Sequence, residues 1–256
     1  MPPCSQLRRL VVLPSQLKDD GLELTDQQQH YLKRVLRLQA GDRFVVMNGQ
    51  GRAWLAQLQQ DVTGQATVLE PLQTNTELPI DLTLVAALPK GNGFDEVVRQ
   101  VIESGVTRIQ PVLSDRTLLH PGDHKVERWR RIAQESAEQA ERLILPAIDA
   151  PLTLTQWLQS EQGGDPKTRR YLCVTRRSAP HLLHCLTIPS LAESDIHLAI
   201  GPEGGWTECE IERALSVGYQ PVSLGARIFR TVTAPIAAIA LIAAHYESQQ
   251  PQITRT

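Results

Sequence analysis

The sequence predicts an α/β protein in two parts: a small β-rich unit in the first third, then a larger domain whose largely parallel sheet is covered by helices on both faces. Three observations carry this. Short apolar runs flank glycine turns before Pro71, the stretch from Pro71 to Pro79 contains the polar, aperiodic Gln73-Thr74-Asn75-Thr76, and after Pro79 strand-like runs alternate with helical stripes. The boundary falls in that stretch, giving residues 1–74 and 79–256 as the two domains.

Leu10-Val11-Val12-Leu13 reads as the first strand. Thr25-Asp26-Gln27-Gln28 has the form of a capping box and opens a helix through His30, Tyr31, Val35 and Leu38 that closes at Gly41. Phe44–Met47 and Ala53–Ala56 flank Asn48-Gly49-Gln50-Gly51, a stretch suited to a hairpin turn, and Ala66–Leu69 adds another strand. In the second domain Ile80–Leu88 is a buried strand. Phe94, Val97, Val98, Val101 and Ile102 recur at helical spacing and stop at Gly105, after which Ile109–Leu113 resumes as strand. A long amphipathic helix follows, its stripe running through Trp129, Ile132, Ala133, Ala137, Ala140 and Ile144 and ending before Pro146. Tyr171–Val174, Ile196–Ile200 and Pro221–Leu224 are the later strands, and residues 160–168 form a loop.

Composition excludes several classes. With 256 residues, 41% hydrophobic and 21% charged, the chain can bury a sizeable core, so it is neither disordered nor fibrous. Its 26 Lys and Arg against 28 Asp and Glu leave a net charge of -2, so a polyanion must be held by a local patch rather than by the field of the whole molecule. Cys4, Cys173, Cys185 and Cys209 lie far apart without a Cys-x-x-Cys, which signals neither a zinc site nor a disulfide framework and fits a reduced, cytoplasmic setting. Met1 to Ser5 lacks the features of a secretory signal. The apolar run Ala234–Ala244 is 11 residues. It falls short of the roughly 20 needed to cross a bilayer, so no membrane partner is expected. His30, His120, His181, His184 and His245 show no ligand spacing, and no metal is implied.

The sharpest local pattern is the strand His197-Leu198-Ala199-Ile200, then Gly201-Pro202-Glu203-Gly204-Gly205, then Thr207-Glu208-Cys209-Glu210 with capping-box spacing for a new helix. Glycines between a strand and a helix let backbone approach a ligand, at the strand end where open α/β sheets bind; a tight loop satisfies the same pattern. It is neither a phosphate-binding P-loop nor a dinucleotide fingerprint. A second glycine turn, Ser223-Leu224-Gly225-Ala226-Arg227-Ile228-Phe229-Arg230, leads into an Ala-rich helix that Thr233 can cap, with Pro235 in its first turn. If adjacent strands set the two turns side by side, their backbone groups form a cleft for a heterocycle such as adenine. Arg227 and Arg230 are either a solvated pair or part of that cleft. Arg116 follows a strand, and Glu138, Gln139 and Arg142 share a helix, where Glu138 and Arg142 also suit a surface i,i+4 pair. Lys167, Arg169, Arg170, Arg176 and Arg177 fall within eleven residues holding no acid, a phosphate-contacting patch or a solvated face.

Ile200-Gly201-Pro202-Glu203-Gly204-Gly205 together with Leu224-Gly225-x-Arg227-Ile228-x-Arg230-Thr231 resembles the RsmE family of 16S ribosomal RNA uracil-N3 methyltransferases. Weaker matches follow in family order: His30-x-x-x-Arg34-Val35-Leu36-Arg37, Pro89-Lys90-Gly91, Gly105-Val106 with Ile109-x-Pro111, Ser114-x-Arg116, and Glu138-Gln139-x-x-Arg142. The resemblance implies an N-terminal PUA-like β-barrel that helps hold RNA, joined to a SPOUT methyltransferase domain whose C-terminal segment threads a deep trefoil knot and which works as a homodimer. It implies S-adenosyl-L-methionine as cofactor, enclosed by Val174, Ile200, Gly201, Pro202, Gly204, Gly205, Ser223, Leu224, Gly225, Ile228, Phe229, Arg230 and Thr233. Arg230 is expected to act on the base, with Arg116 and Arg142 gripping base or RNA and Glu138 and Gln139 orienting them. Arg8, Arg9, Lys33, Arg34, Arg37, Lys90, Arg176 and Arg177 are expected to meet 16S rRNA in the small subunit.

The chain departs from the family pattern at three positions: Val232 stands where Glu is usual, Ala226 where Pro is usual, and Gln100 where Lys is common. Val232 motivates a non-catalytic RNA-binding or ribosome-assembly protein on the same scaffold, and a SPOUT enzyme acting on a ribose 2′-oxygen or on tRNA is a further alternative.

Overall fold

A computed structural model describes residues 7–18, 21–59, 64–117, 121–188 and 194–250; Met1 to Ser5, including Cys4, and His120 lie outside the described residues. Packing divides the chain into two compact units, Met1–Glu77 with Ala137–Leu145, and Leu78–Ser136 with Pro146–Thr256.

The first unit contains β1 (Arg9–Val11), β2 (Leu17–Lys18), β3 (Gly21–Glu23), α1 (Asp26–His30), β4 (Arg43–Met47), β5 (Ala53–Leu58) and β6 (Gln65–Leu72). The sheet order is β1-β4-β5-β6-β3-β2, with β1 parallel to β4 and the other pairs antiparallel. Strand alternation sends Leu10, Phe44, Val46 and Ala56 to one face, where Leu32 closes the core. It sends Val11, Val45, Met47 and Ala53 to the other, where Leu143 closes a second cluster. The capping box at Thr25 forms as expected, but α1 stops at His30 and continues as a π-helical turn, Tyr31–Val35, with Arg37 left-handed at φ 58°.

The second unit contains β7 (Leu82–Ala87), α2 (Gly93–Glu103), β8 (Arg108–Leu113), α3 (Asp123–Gln139, its last turn counted with the first unit), β9 (Ala147–Ile148), β10 (Leu152–Thr153), α4 (Leu154–Ser160), β11 (Arg169–Cys173), α5 (Leu182–Leu186), β12 (Ile196–Ile200), α6 (Glu208–Ser216), β13 (Gln220–Val222) and α7 (Thr233–Glu247). The strand order is β10-β8-β7-β12-β11-β13, with β9 also on β8, and every pairing is parallel. β7 is buried at each of its positions, as a strand covered on both faces must be. α4 packs on α6, while α2 and α5 pack on α7. Val85, Ala87, Leu172 and Ala199 join Trp157, Leu158 and Ile211 of the α4–α6 layer in one core. Among the described residues no helix is long and apolar enough to cross a membrane.

Three expectations change. The long helix ends at Gln139 rather than reaching Ile144, because Glu141 turns left-handed at φ 63°. Arg142 N–H then bonds Ala137 O at 2.9 Å and Glu141 N–H bonds Glu138 O at 3.4 Å, the two bonds of a Schellman closure made without glycine. The freed segment joins the hairpin turn, with Gly51 N–H on Leu143 O and Leu145 N–H on Gly49 O, so residues 137–145 pack with the first unit, not the second. Thr233 does not cap α7; Val232 holds the N-cap position and Thr233 is the first helical residue. Finally, α4, which opens on the Thr153–Gln156 capping box, and the short α5 have no counterpart in the sequence reading.

Candidate active site at the carboxyl edge of the parallel sheet

The two glycine turns do not leave adjacent strands. β11 lies between β12 and β13, so the turns at the carboxyl ends of β12 and β13 stand on either side of the end of β11. Val174 and Ile200 are buried there, 8% and 3% exposed. The stretch from Gly225 then returns across the edge: a Cβ on Gly93, the first residue of α2 just beyond β7, would lie 2.8 Å from Val232 Cγ2. β13 and β7 are three strand spacings apart, about 14 Å, so the chain from Gly225 to Val232 passes the carboxyl ends of β11 and β12 to reach that contact. This stretch and the 201–206 turn thus both run along the carboxyl edge of the sheet, as the two sides of a candidate slot, in place of the side-by-side strand ends expected.

The first wall is heavily bonded. Arg116 Nη1 donates to Gly204 O at 2.5 Å and to Trp206 O at 3.4 Å. A Cβ on Gly204 would lie 3.0 Å from Arg116 Cδ, so the bare glycine lets the guanidinium lie on the turn. Glu210, 3% exposed, accepts from Asp115 N–H at 2.9 Å and from Thr207 N–H at 2.7 Å, tying the turn after β8 to the turn after β12. Glu203 accepts from Lys90 N–H at 2.9 Å, adding the turn after β7. Trp206 lies against Gly201, whose Cβ would meet the indole ring at 3.1 Å, and Pro202 is buried beside it. Trp206 Nε1 is buried and has no hydrogen-bond partner among the described residues.

The second wall carries few bonds. Ser223 Oγ accepts from Gly225 N–H at 3.0 Å, and Arg230 O accepts from Thr233 and Ala234 N–H, both at 2.9 Å. Gly225 is left-handed at φ 109°, with His181 Nε2 4.0 Å from where its Cβ would be. Among the described residues the backbone N–H groups of Ala226, Ile228 and Phe229 have no hydrogen-bond partner. Ile228 is 63% exposed; Leu224 and Phe229 are half-buried; Arg230 and Thr233 are exposed.

Other expected residues fall elsewhere. In the first unit Arg142 is 3% exposed, its guanidinium on Glu77 at 2.5 Å, while the other oxygen of Glu77 accepts from Leu143 and Ile144 N–H. Glu138 accepts from Val11 N–H at 2.9 Å, and Gln139 is exposed at the end of α3. A buried guanidinium closed on a carboxylate binds its own segment, so the structure gives Arg142 a bracing task rather than a grip on RNA. Arg9 pairs with Glu141 at 2.7 Å, whereas Arg8, Lys33, Arg34 and Arg37 are exposed. In the second unit Lys90 and Arg176 are exposed and Arg177 pairs with Glu208 at 3.0 Å. The basic run is not one patch: Arg169 is 5% exposed with Nη2 on Tyr246 Oη, and Arg170 pairs with buried Glu161 at 2.7 Å. Sequence reasoning missed Trp206 and Glu77, and took Glu210 only as a cap; its bond to Asp115 joins residues 95 apart and has no local signal.

The slot fits a nucleoside cofactor. The backbone N–H groups of Ala226, Ile228 and Phe229 are donors that a polar heterocycle can take, and Gly205 and Gly225 leave open space where a Cβ would stand, which lets a ligand approach the backbone closely.

Comparison with known proteins agrees. An RNA methyltransferase domain matches residues 76–243 and an RNA methyltransferase PUA domain matches residues 24–68. The chain is 50% identical over 240 residues to the ribosomal RNA small subunit methyltransferase E of Synechocystis sp., covering 94% of this chain and 78% of that one. The protein of the same name from Bacillus subtilis is 29% identical, covering 86% and 88%. The crystal structure of a ribosomal RNA small subunit methyltransferase E from Neisseria gonorrhoeae bound to S-adenosyl methionine superposes with a TM-score of 0.83 at 29% identity, covering 94% and 98%. A methyltransferase from Legionella pneumophila in complex with the same cofactor gives 0.80 at 25%, covering 93% and 97%. With half its residues shared along almost the whole chain, and a SPOUT α/β domain following a PUA-like one, this chain belongs to the ribosomal RNA small subunit methyltransferase E family.

Proposed function

We propose that this chain is an S-adenosylmethionine-dependent methyltransferase that modifies N3 of a uridine in 16S ribosomal RNA. The observation that supports it most is the slot itself, with Arg116 fixed on one wall and Arg230 exposed on the other.

When bound, the cofactor supplies a methyl group already activated on a sulfonium. Backbone at Ile200, Gly201, Gly204, Gly205, Leu224 and Gly225 would border it, with Val174 and Pro202 beneath, Ser223 and Thr233 at the ends of the second wall, and Ile228 and Phe229 excluding water. The remaining work is positioning and charge. Uracil N3 gives up its proton to solvent water as it reacts, and negative charge spreads over N3 and both carbonyl oxygens. The Arg230 guanidinium stabilises that charge more than it stabilises neutral uracil, which is the difference that raises turnover. Arg116 has one nitrogen committed to Gly204 and Trp206, and its other N–H groups serve the RNA. Lys90, Arg176 and Arg177, with Arg8, Lys33, Arg34 and Arg37 of the PUA-like unit, hold backbone phosphates. The knotted C-terminal segment, the homodimer and the cytoplasmic setting belong to the same reading.

Calorimetric titration with S-adenosylmethionine, followed by nucleoside mass spectrometry of treated undermodified small-subunit RNA, tests it. Saturable binding and 3-methyluridine are expected. Absent cofactor binding, RNA binding without methyl transfer, or 2′-O-methyluridine as product would overturn it.

A further inference from the structure

A cavity of about 280 Å³ opens in the first unit beside the π-helical turn. Its lining is aliphatic at Leu32, Leu38 and Leu58 of the core and includes Gln39, Gln59 and Gln65, of which Gln59 donates its amide to Thr67 Oγ1 at 3.2 Å. Lys33 also lines it, and among the described residues no carboxylate does. One wall depends on a bare backbone: Gly64, at φ 88°, lies so close to Gln29 that a Cβ would sit 2.6 Å from Nε2. Gln29 is fixed there by donating to Leu24 O at 3.1 Å.

The adjoining segment is unusual as well. A π turn and a left-handed arginine are both sparsely populated backbone states, which concentrate at functional sites. Together they leave Val35 59% exposed, between exposed Arg34 and Arg37. The π turn that carries Arg34 and Val35 also places Lys33 and Leu32 on the cavity lining, so the cations of this segment follow one another along the chain next to a pocket that is largely apolar and amide-lined.

That combination selects a ligand class. Gln39 and Gln65 each bring a donor pair and an acceptor and Gln59 keeps its acceptor, the groups that read the edge of a nucleobase; aliphatic side chains accept the flat face of the base; the Lys33 ammonium on the lining, with Arg34 and Arg37 close by in the chain, suits phosphates. At about 280 Å³ the volume is below the usual range for drug-sized ligands, roughly 300–1,000 Å³, and admits one base rather than a helix or a peptide. We propose that this pocket receives a single unstacked nucleobase of the RNA substrate, read by Gln39, Gln59 and Gln65, with the adjoining phosphates on Lys33, Arg34 and Arg37. The inference rests on the reading that RNA is the substrate and adds where, in the PUA-like unit, one nucleotide is recognised.

The test uses the full chain and a fluorescein-labelled unstructured single-stranded RNA, titrated over a range of KCl, with the same strand annealed to its complement as the second probe. Leu38→Trp fills the cavity; Gln65→Leu, at an exposed position, removes one amide without disturbing the core. Both are expected to weaken single-strand binding about tenfold, the worth of one stacked base, without changing the slope of affinity against salt. Lys33→Ala is expected to reduce that slope by about 0.7, one phosphate contact on a single strand. Duplex binding should not respond to Leu38→Trp or Gln65→Leu. If these two variants bind the single strand as tightly as the parent, while circular dichroism and urea unfolding show the whole chain folded, the pocket is not a base site and the proposal is overturned. A protein that keeps this RNA pattern but binds no S-adenosylmethionine would instead overturn the methyltransferase reading and leave the base site standing.

Discussion

The two walls of the slot are built in opposite ways. The 201–206 turn is tied to two neighbouring strand ends by Arg116, Glu203 and Glu210, and Trp206 packs on its glycine. The stretch from Gly225 to Val232 is fixed at its ends, by Ser223 and by Val232 against Gly93, and between them exposes Ile228 to 63%. The first wall is pre-organised, so a ligand finds it ready. The second keeps its backbone donors unspent, and contacts made there are made at the cost of ordering it. Stability should therefore reside in the first wall and ligand response in the second.

Arg230→Ala gives the largest effect on the second wall. Removing a pre-placed donor to developing charge is expected to lower turnover about 100- to 1,000-fold, with cofactor affinity unchanged and unfolding free energy moved by less than about 0.5 kcal/mol, as befits an exposed side chain. Steady-state kinetics beside calorimetry measure both. Parent-like turnover would reduce Arg230 to a solvated charge.

Glu210→Ala is the counterpart on the first wall. It strips the acceptor from two backbone N–H groups at a position 3% exposed, and is expected to cost about 3 kcal/mol in urea unfolding. Ser223→Ala, which removes the lone side-chain acceptor of the second turn, should cost about 1 kcal/mol or less. Equal losses would break the contrast between the walls.

What the sequence made legible follows the same division between local and distant. Capping boxes at Thr25 and Thr207, the hairpin turn at Gly49 and the parallel strands are written in neighbouring residues, and they form as read. The end of α3 was not legible because its left-handed position is filled by Glu141, where the expected punctuation is glycine or asparagine. Arg142 looked available because its partner, Glu77, lies 65 residues away, and Arg169 and Arg170 looked like part of a patch because burial against Tyr246 and Glu161 leaves no trace in charge spacing. The glycine turns were found from sequence; that β11 separates them, and that the second returns to α2, is topology.

Ile228→Ala sharpens the contrast by a smaller amount. A large apolar side chain at 63% exposure contributes little to the unliganded fold, so unfolding should move by less than about 0.5 kcal/mol. If the stretch closes on its ligand, truncation removes buried area only in the complex, and S-adenosylmethionine should bind about tenfold more weakly, near 1.4 kcal/mol. An unchanged affinity would mean that Ile228 faces away from the slot.

The smallest effect belongs to the opposite, amino edge of the same sheet. Glu161, 8% exposed, meets Arg170 of β11 at 2.7 Å and His197 of β12 at 2.8 Å. Burial alone would raise its pKa, but the hydrogen bond and charge of His197, followed by those of Arg170, outweigh it and hold the carboxyl below its ordinary 4.5. Because the folded state keeps this group ionised to lower pH than the unfolded chain does, its contribution to stability is complete above 4.5 and fades as pH falls through the lower folded value. Urea unfolding of the parent should therefore lose stability on acidification below pH 4.5 more steeply than Glu161→Gln, which has no such proton to take up. At neutral pH Glu161→Gln should leave cofactor affinity untouched, since the network sits where β11 and β12 begin and the slot lies where they end. Parallel acid profiles for parent and variant would show that the pair does not hold the carboxylate charged, and a weakened cofactor would show that the two edges of the sheet are coupled.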